Sequence, residues 1–298
     1  MEKNVLTRRD FLKTTSSAAI AGALFLGTSR DAFSEEVGKK TRVVLIRDNA
    51  VVDEAGKIDP NVVQNMLDTS VTALLGEKDP AAAWKRIVKP EDIVGIKTNN
   101  WGHLPTPEAL ELAIQKRVLE VGVPEKNIGI RDQGLLDDEI FKKATALINV
   151  RPLRTHHWAG VGTLLKNYIM FTPAPWEYHD DSCADLAKLW RLPLVEGKTR
   201  LNILVVMTPL FHGAGPHHFN PEYTWPYKGL LVGFDPVAVD STGVRILAAK
   251  RKEYFKEERP LNPPPKHIFL ADTRHHLGTA DPEKIELITL GWGEGRLI

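Results

Sequence analysis

One loop of the sequence carries three histidines whose side chains could do chemistry. His212, His217 and His218 lie close together and alternate with Gly213 and Gly215. Imidazole can transfer a proton near neutral pH or ligate a metal, and glycine lets the backbone come close to a ligand. We therefore predict that His212 is an acid–base residue, that His217 and His218 are metal ligands, and that the two glycines line a substrate site.

A second group of polar residues follows two short apolar runs. Lys97 ends the run at residues 93–96 and is followed by Asn99 and Asn100, while Asp132 follows the run at residues 127–131. Lys97 could direct a fixed positive charge into a cleft, or it could be a solvated strand end. In the functional interpretation, Lys97 and Asp132 are catalytic residues and the two asparagines bind substrate.

Asp240 completes the predicted set of metal ligands. It lies five residues after Asp235, which precedes Pro236 and is predicted to cap a helix. The two carboxylates would lie about 140° apart around that helix and would not share a face. We predict that Asp240 reaches the site from the first turns of this helix, while Asp235 serves as its cap.

The sequence does not identify a cofactor, but its histidines and its single cysteine narrow the classes of cofactor that the chain could bind. His156-His157, His217-His218 and His275-His276 form pairs, and adjacent strand residues point to opposite faces, so each pair would supply one ligand. Imidazole with carboxylate suits a divalent metal, although no short zinc motif is present. Cys183 is the only cysteine, which excludes a cysteine-ligated iron–sulfur cluster, a c-type haem site and an internal disulfide. The pattern around Cys183 favours a buried thiol over a nucleophile.

The elements that must position these residues alternate between strands and helices. This pattern predicts an α/β fold with a mostly parallel sheet flanked by helices, and a long irregular insertion after the fourth strand, at residues 151–176. The predicted strands are residues 41–46, 93–97, 127–131, 146–150 and 201–207, and the predicted helices are residues 61–75, 106–121, 183–190 and 237–249. The predicted sheet core comprises Val43, Leu45, Ile46, Val94, Ile96, Ile128, Ile130, Ile203, Val205 and Val206.

The carboxyl ends of parallel strands meet at one edge of a sheet. We therefore expect the candidate residues to converge there, although they are far apart in sequence. The expected cluster comprises Lys97, Asn99, Asp132, His212, His217 and Asp240.

Composition excludes some partners. Hydrophobic residues make up 43% of the chain and charged residues 26%, and the formal net charge is +1. A nucleic-acid-binding surface normally brings a basic excess, so no nucleic acid partner is predicted. After the first segment no apolar run approaches the length of a membrane span.

The first residues form a targeting signal. Arg8 and Arg9 precede Phe11 and an uncharged stretch at residues 14–29 that is too short and glycine-rich for a stable span. Adjacent arginines in this position address a protein to the twin-arginine translocase. We predict a signal peptide over residues 1–34 that is either cleaved near Ser34 or kept as an uncleaved anchor, a single domain over residues 41–298, and a mature protein in the periplasm or cell exterior.

Four motifs resemble those of one known family, in matching order and spacing over nearly all of the chain after the signal. They are Val94-Gly95-Ile96-Lys97-Thr98-Asn99, Ser182-Cys183-Ala184-Asp185-Leu186, Gly213-Ala214-Gly215-Pro216 and Asp235-Pro236-Val237-Ala238-Val239-Asp240. On these motifs the chain is identified as a member of the domain of unknown function 362 family. The resemblance implies a fold but no established reaction. Its relatives commonly carry ferredoxin-like cysteine clusters, and an electron-transfer role does not carry over to a chain without them.

Two functions remain open at this stage. The first is an enzyme, assisted by a metal or by acid–base groups, that acts on a small anionic substrate in a cleft at the carboxyl edge of the sheet. The second is a non-catalytic exported protein that binds a ligand or a redox partner through an aromatic loop containing Tyr223 and Trp225. Convergent polar groups would favour the enzyme, and an exposed apolar patch would favour the binding protein.

Overall fold

The computed structural model describes residues 40–215 and 218–298, and these residues belong to one compact unit. The predicted signal, with Arg8, Arg9 and the cleavage position near Ser34, lies outside the described residues, and so does His217. The strands are β1 (Thr41–Arg47), β2 (Val94–Lys97), β3 (Ile128–Arg131), β4 (Ala146–His156), β5 (Gly160–Gly162), β6 (Thr199–Leu210), β7 (Gly229–Gly233) and β8 (Ile285–Gly291).

These strands form one sheet in the order β3-β2-β4-β6-β7-β1-β8, with β5 paired to β4. The pairs β2 with β3, β2 with β4, β4 with β6 and β1 with β8 are parallel. Strand β7 is antiparallel to both of its neighbours, and β5 is antiparallel to β4. The predicted α/β fold with a mostly parallel sheet is confirmed.

Helices cover both faces of the sheet. They are α1 (Pro60–Leu75), α2 (Pro80–Ile87), α3 (Glu108–Val121), α4 (Glu139–Lys143), α5 (Leu164–Asn167), α6 (Asp180–Cys183), α7 (Pro236–Phe255) and α8 (Lys266–Thr273). Short 3-10 turns occupy Glu125–Asn127, Tyr168–Phe171, Pro175–Tyr178, Leu186–Arg191, Pro221–Tyr223 and Pro282–Lys284.

Strand alternation creates two apolar cores. Val44 and Ile46 of β1 pack into the core beneath α1, α2 and α3, whereas Val43 and Leu45 pack into the opposite core, which contains α5 and α7. Ile128 and Ile130 are only partly buried, contrary to the prediction, because β3 is an edge strand. The other predicted core residues are buried.

Aspartate caps set the starts of the long helices. Asp59 accepts hydrogen bonds from the first backbone N–H groups of α1, and Asp235 does the same for α7. Proline follows each cap at the first helical position, where no backbone N–H is needed. Asp235 therefore has the capping role that its sequence position predicts.

Two predicted boundaries are wrong. Strand β4 continues to His156, well beyond the predicted end at Val150, because it pairs with β6 as far as Arg154 and with β5 from Arg154 to His156. The predicted helix over residues 183–190 is instead a 3-10 turn at Leu186–Arg191. It does not start at Cys183 because that residue has a positive φ of 61°, a left-handed conformation.

No helix in residues 40–215 and 218–298 combines the length and apolar character that crossing a membrane requires.

Candidate functional site: a cation-lined cavity

A cavity of about 470 Å³ opens at the carboxyl ends of β2, β3 and β4. Its walls come from the loops after β2 and β3, the end of β4, α5 and the segment that follows α5. Open parallel sheets commonly bind ligands at this edge. The volume is within the usual range for a small-molecule site, roughly 300–1,000 Å³.

Buried cations surround this cavity. Arg151 and Lys166 line it and are only 5% and 3% exposed. Arg154 is 3% exposed and lies beside it, with its Nη2 3.4 Å from the side-chain oxygen of the lining residue Asn99. Among the described residues that line the cavity, Asp132 is the one carboxylate. The wall therefore carries more positive than negative charge.

Three nitrogens of these guanidinium groups lack protein acceptors among the described residues. No hydrogen bond joins the buried Nε of Arg151 to any other described residue, and the same holds for Nε and Nη1 of Arg154. The guanidinium of Arg154 instead stacks 4.3 Å from the ring centroid of Trp101. A buried guanidinium with unpaired N–H groups is costly, and an anion held in the cavity would offset the positive charge of the lining residue Arg151.

A β-bulge brings the two arginines together. Residues three apart on a regular strand point to opposite faces, but the pairing of β4 with β6 shifts register between Pro152 and Arg154. A side chain built at Gly162 would lie 3.2 Å from Nη2 of Arg151 and 3.6 Å from Cγ of Arg154. Both arginine side chains therefore lie on the same side of β4, with glycine leaving room for them.

Behind the cavity wall, Lys97 belongs to a closed polar network. Its ammonium donates to Oδ1 of Asp132 at 2.8 Å, to Oδ1 of Asn167 at 3.2 Å and to the Thr98 carbonyl at 2.5 Å. All three ammonium donors are thus used. Asp132 accepts through its second oxygen from the backbone N–H of Asn100 at 3.0 Å. Lys97 is therefore placed to hold Asp132 in the wall, and it does not itself line the cavity.

Asp240 anchors the start of α5, which carries Lys166 and Asn167. Its carboxylate accepts from the Thr163 hydroxyl at 2.7 Å and from the backbone N–H groups of Leu164 and Leu165, each at 2.9 Å. Asp240 is completely buried, and both of its oxygens are engaged. Its side chain therefore supports the cavity from behind instead of facing it.

Burial governs the protonation of the cavity residues. It lowers the pKa of Lys166 to about 8, with Cys183 opposing this shift and Arg151 adding to it. Burial alone would raise the pKa of Asp132, but the charge and hydrogen bond of Lys97 outweigh it and the net pKa is lowered. Asp132 is therefore ionised at neutral pH. Burial also lowers the pKa of Arg154, and repulsion from Arg151 adds to this.

Histidines and a tryptophan form another wall. The rings of His156 and His157 stack with centroids 4.8 Å apart, and Trp158 lies 4.3 Å from the ring of His179. Burial, followed by repulsion from Lys166, lowers the pKa of His179 to about 4 and that of His156 well below its usual range. These two imidazoles are therefore neutral at pH 7. His157 lines the cavity together with His156 because β4 has ended and the alternation of faces no longer applies.

His212 lies in a second cavity, of about 410 Å³, that also contains Gly213 and Arg251. Its Nδ1 is 3.2 Å from Nη1 of Arg251, and its pKa is lowered by burial and then by repulsion from Arg251. His157 lines both cavities, so they lie on either side of the turn after β4. The structure thus brings Lys97, Asn99 and Asp132 together and places His212 in a neighbouring site.

The remaining predicted residues lie elsewhere. Tyr223 packs edge-on against His212, and Trp225 packs against Phe211. His218 is exposed. Gly215 has a φ of +64° and leaves space for the Thr155 carbonyl, since a side chain there would lie 2.4 Å from that oxygen. Gly215 therefore lets its own backbone pack closely against that of Thr155.

The predicted metal set, His217, His218 and Asp240, is incomplete in the part of the chain that the structure describes, because His217 lies outside it. Among described residues no group of three or more histidine, cysteine, aspartate or glutamate side chains is placed to hold a metal ion. The oxygens of Asp240 are already hydrogen-bonded to α5.

Sequence reasoning missed Arg151, Arg154 and Lys166, which lie in the stretch interpreted as an irregular insertion. One signal was present: Asn149 and Arg151 alternate with the apolar Val150, which is the pattern of a strand with one polar face. The bulge that adds Arg154 to this group has no comparable sequence signal.

A family model described as "Domain of unknown function (DUF362)" matches residues 111–245, somewhat less than half of the chain. This match supports the DUF362 family. The DUF362 match contains Asp132, Arg151, Lys166 and Asp240 and begins after Lys97. No curated protein and no solved structure matches the chain significantly.

Proposed function

We propose that this chain is an enzyme that binds a small anionic substrate in the cation-lined cavity and acts on it by acid–base chemistry. The observation that carries the proposal is the group of buried cations at the cavity: Arg151 and Lys166 line it, Arg154 lies beside it, and three of the arginine nitrogens have no acceptor among the described residues. Arginine pairs well with carboxylate, phosphate and sulfate groups because its planar donors match their oxygens. An anion in the cavity would offset the desolvation of Arg151 and Arg154.

Asp132 and Lys166 are the acid–base groups of the proposal. Asp132 is an ionised carboxylate in the wall, and Lys166 has a pKa of about 8. A group whose pKa lies near the working pH exchanges protons efficiently. Lys97 is a positioning residue, since its ammonium is hydrogen-bonded behind Asp132.

The cationic wall supports acid–base chemistry over metal-assisted chemistry in this cavity. Positive charges on Arg151 and Lys166 would repel a divalent cation, whereas they attract an anion. A divalent metal held by His217, His218 and Asp240 stays a prediction from the sequence, with weaker support because Asp240 already binds α5.

A second candidate function is an exported ligand-binding protein without catalysis. It is favoured by two large exposed aromatic side chains near the cavity: Trp158 in its wall is 48% exposed, and Trp176, next to the lining residue Pro175, is 67% exposed. Exposed aromatic side chains of this size can mark a partner surface.

Anion binding is tested by calorimetry with sulfate on the chain without its signal, using Arg151→Met and the matched control Arg191→Met. Arg191 lies on a 3-10 turn and is exposed. We expect Arg151→Met to weaken sulfate binding about tenfold or more, because a charged hydrogen bond contributes about 1.5–3 kcal/mol. The control should bind like the parent. Equal affinities in the two folded variants would refute the anion site.

Catalysis is tested separately. The chain would be incubated with a panel of small carboxylates, phosphate esters and sulfate esters, and products followed by NMR. Turnover that disappears in Asp132→Asn supports the enzyme. If sulfate binds but none of the compounds in the panel is converted to a product, the ligand-binding protein is favoured.

A further inference from the structure

Two buried lysines lie close to the cavity, and their surroundings differ. Lys97 forms an ion pair with Asp132 at 2.8 Å and lies behind the wall. Lys166 lines the cavity, and within the described part of the chain no carboxylate lies within ion-pair distance of its ammonium. Its one hydrogen-bond partner there is the thiol of Cys183, at 3.7 Å from Nζ to Sγ. An ammonium without a counter-ion has no evident structural purpose in this position.

We propose that Lys166 is an amine nucleophile that condenses with the carbonyl group of a small oxo acid, whose carboxylate lies against Arg151. This inference rests on the proposed function and specifies its substrate class. Arg151 supplies the fixed positive charge for the carboxylate, and the cavity also contains room for a short carbon chain.

The surroundings of Lys166 favour a neutral amine. Desolvation next to another cation is the established physical way to activate a lysine. Burial lowers the pKa of Lys166 to about 8, where Cys183 opposes the shift and Arg151 reinforces it. At pH 7 about a tenth of the side chain is then the free amine, against less than about one in a thousand for an ordinary lysine.

The backbone around Lys166 is held firmly. Asp240 fixes the first turn of α5 through three hydrogen bonds, and Asn167, the next residue, donates to Asn149 at 2.8 Å and to the Val150 carbonyl at 3.0 Å. A nucleophile needs a defined position relative to the group that orients its substrate. Lys166 is thus held through α7 on one side and, on the other, through β4, the strand that carries Arg151.

The condensation is balanced without an oxidant or reductant. The neutral Lys166 nitrogen forms a bond to the carbonyl carbon as the carbonyl π bond breaks, and one proton passes from that nitrogen to the oxygen to give a carbinolamine. That hydroxyl leaves as water after a second protonation, and the nitrogen keeps the substrate as a cationic iminium. The iminium withdraws electrons from the neighbouring carbon, so a base can remove a proton there. Asp132 is the carboxylate available in the same wall.

The test is reductive trapping on the chain without its signal. Glyoxylate and pyruvate would be the probes, with sodium cyanoborohydride added to reduce any iminium to a stable secondary amine. Peptide mass spectrometry then measures adducts at each lysine. The same reaction would be run with added sulfate, and with Lys166→Met and Lys188→Met; Lys188 is an exposed lysine with 58% of its side chain accessible.

We expect adducts at Lys166 to exceed those at Lys188 by about tenfold or more, because Lys166 shares the cavity with Arg151, which would hold the probe's carboxylate next to the amine. Sulfate should suppress them, and Lys188→Met should leave them unchanged. Labelling of Lys166 no greater than that of Lys188 in the parent chain would overturn the inference, and this comparison does not depend on how Lys166→Met folds. If sulfate binds as proposed while Lys166 stays unlabelled, the inference fails and the anion site stands. If sulfate does not bind, the anion site itself fails.

Discussion

At the residue scale, the side chain of Asp132 has two roles. It faces the cavity, and it neutralises the buried ammonium of Lys97. Its charge also opposes the cations that would attract an anionic substrate. An acidic residue in an anion site weakens binding, so affinity does not account for Asp132, whereas its ion pair with Lys97 and the proposed proton transfer do.

We predict that Asp132→Asn binds sulfate roughly tenfold more tightly, because removing a negative charge several ångströms away changes the energy by on the order of 1–3 kcal/mol at an effective dielectric constant of about 20. Turnover should be lost. The matched control is Asp138→Asn, since Asp138 caps α4 and pairs with Arg131 near the same edge without lining the cavity. Weaker sulfate binding by Asp132→Asn, in a folded protein, would contradict the proposed charge balance.

The pH dependence of anion binding is a second prediction at this scale. The pKa of Lys166 is lowered to about 8 by burial, so this cation is lost as pH rises through about 8. Sulfate keeps its charge over this range, and its affinity should therefore fall above about pH 8. Lys166→Arg keeps the charge and should remove the part of this fall that is due to Lys166, while the part due to Lys97, whose pKa is also lowered to about 8 by burial, should remain. Calorimetric titrations from neutral to alkaline pH would measure both profiles, and a flat parent profile would contradict the assignment.

The same lowered pKa has the opposite effect on folding. An unfolded chain holds the proton of a lysine up to its ordinary pKa of 10.5, whereas the folded chain releases protons from Lys97 and Lys166 near pH 8. The unfolded state then binds more protons, so these two groups make the free energy of unfolding rise with pH between about 8 and 10.5. Binding and stability thus respond to pH in opposite directions.

At the scale of elements, α5 is a four-residue helix that depends on its anchor. Three donors from Thr163, Leu164 and Leu165 reach the carboxylate of Asp240 on the long helix α7. A helix this short has little stability of its own. The positions of Lys166 and Asn167 therefore depend on a residue that does not touch the cavity.

We predict that Asp240→Ala lowers the free energy of unfolding by about 2–4 kcal/mol, because three buried donors lose their acceptor, and that it also weakens sulfate binding. Asp59→Ala is the control, since it removes the cap of α1 and should cost about 0.5–2 kcal/mol without changing sulfate affinity. Urea unfolding gives the stabilities, and calorimetry on the folded variants gives the affinities. Unchanged sulfate affinity in Asp240→Ala would show that α5 does not depend on this anchor.

The elements also show which parts of the molecule the sequence predicts. Apolar runs such as residues 201–207 and caps such as Asp235-Pro236 act locally, so the strands and helix starts that depend on them were predicted well. The ends of β2 and β3 placed Lys97 and Asp132 together for the same reason. The polar end of β4 is different, because it gains its order from pairing with β6 and β5. The local sequence does not encode that pairing.

The site beyond Lys97 and Asp132 could not be predicted because it depends on long-range events. A bulge in β4 turns Arg154 toward Arg151, and Asp240 fixes α5 from more than seventy positions away along the chain. His212 follows a correctly predicted strand, but β6 extends to Leu210 and carries it past the level of Lys97 into another cavity. The length of β6 therefore separates His212 from the cavity beside Lys97.

At the scale of the whole molecule, charge is unevenly distributed. The chain has a formal net charge of only +1, yet Arg151, Arg154 and Lys166 are concentrated around one cavity at the carboxyl edge of the sheet. The overall composition gives no indication of this local concentration of positive charge. Low-dielectric walls strengthen the field of such a cluster and attract small anions to it.

Export is the last prediction, and it concerns the precursor as a whole. Arg8 and Arg9 precede Phe11 and an uncharged segment in the arrangement of a twin-arginine signal. We propose that the precursor is exported by this route and functions outside the cytoplasm.

Changing Arg8 and Arg9 together to lysine preserves the charge of the segment but removes the pair that the translocase recognises. The double variant should therefore accumulate in the cytoplasm as uncleaved precursor, whereas Arg30→Lys, a conservative change elsewhere in the same signal, should be exported like the parent. Cell fractionation with immunoblotting measures both the location and the size of each form. Because charge is constant in all three proteins, retention of the double variant alone would be due to the arginine pair. Equal export of the double variant and the parent would show that another route carries this chain.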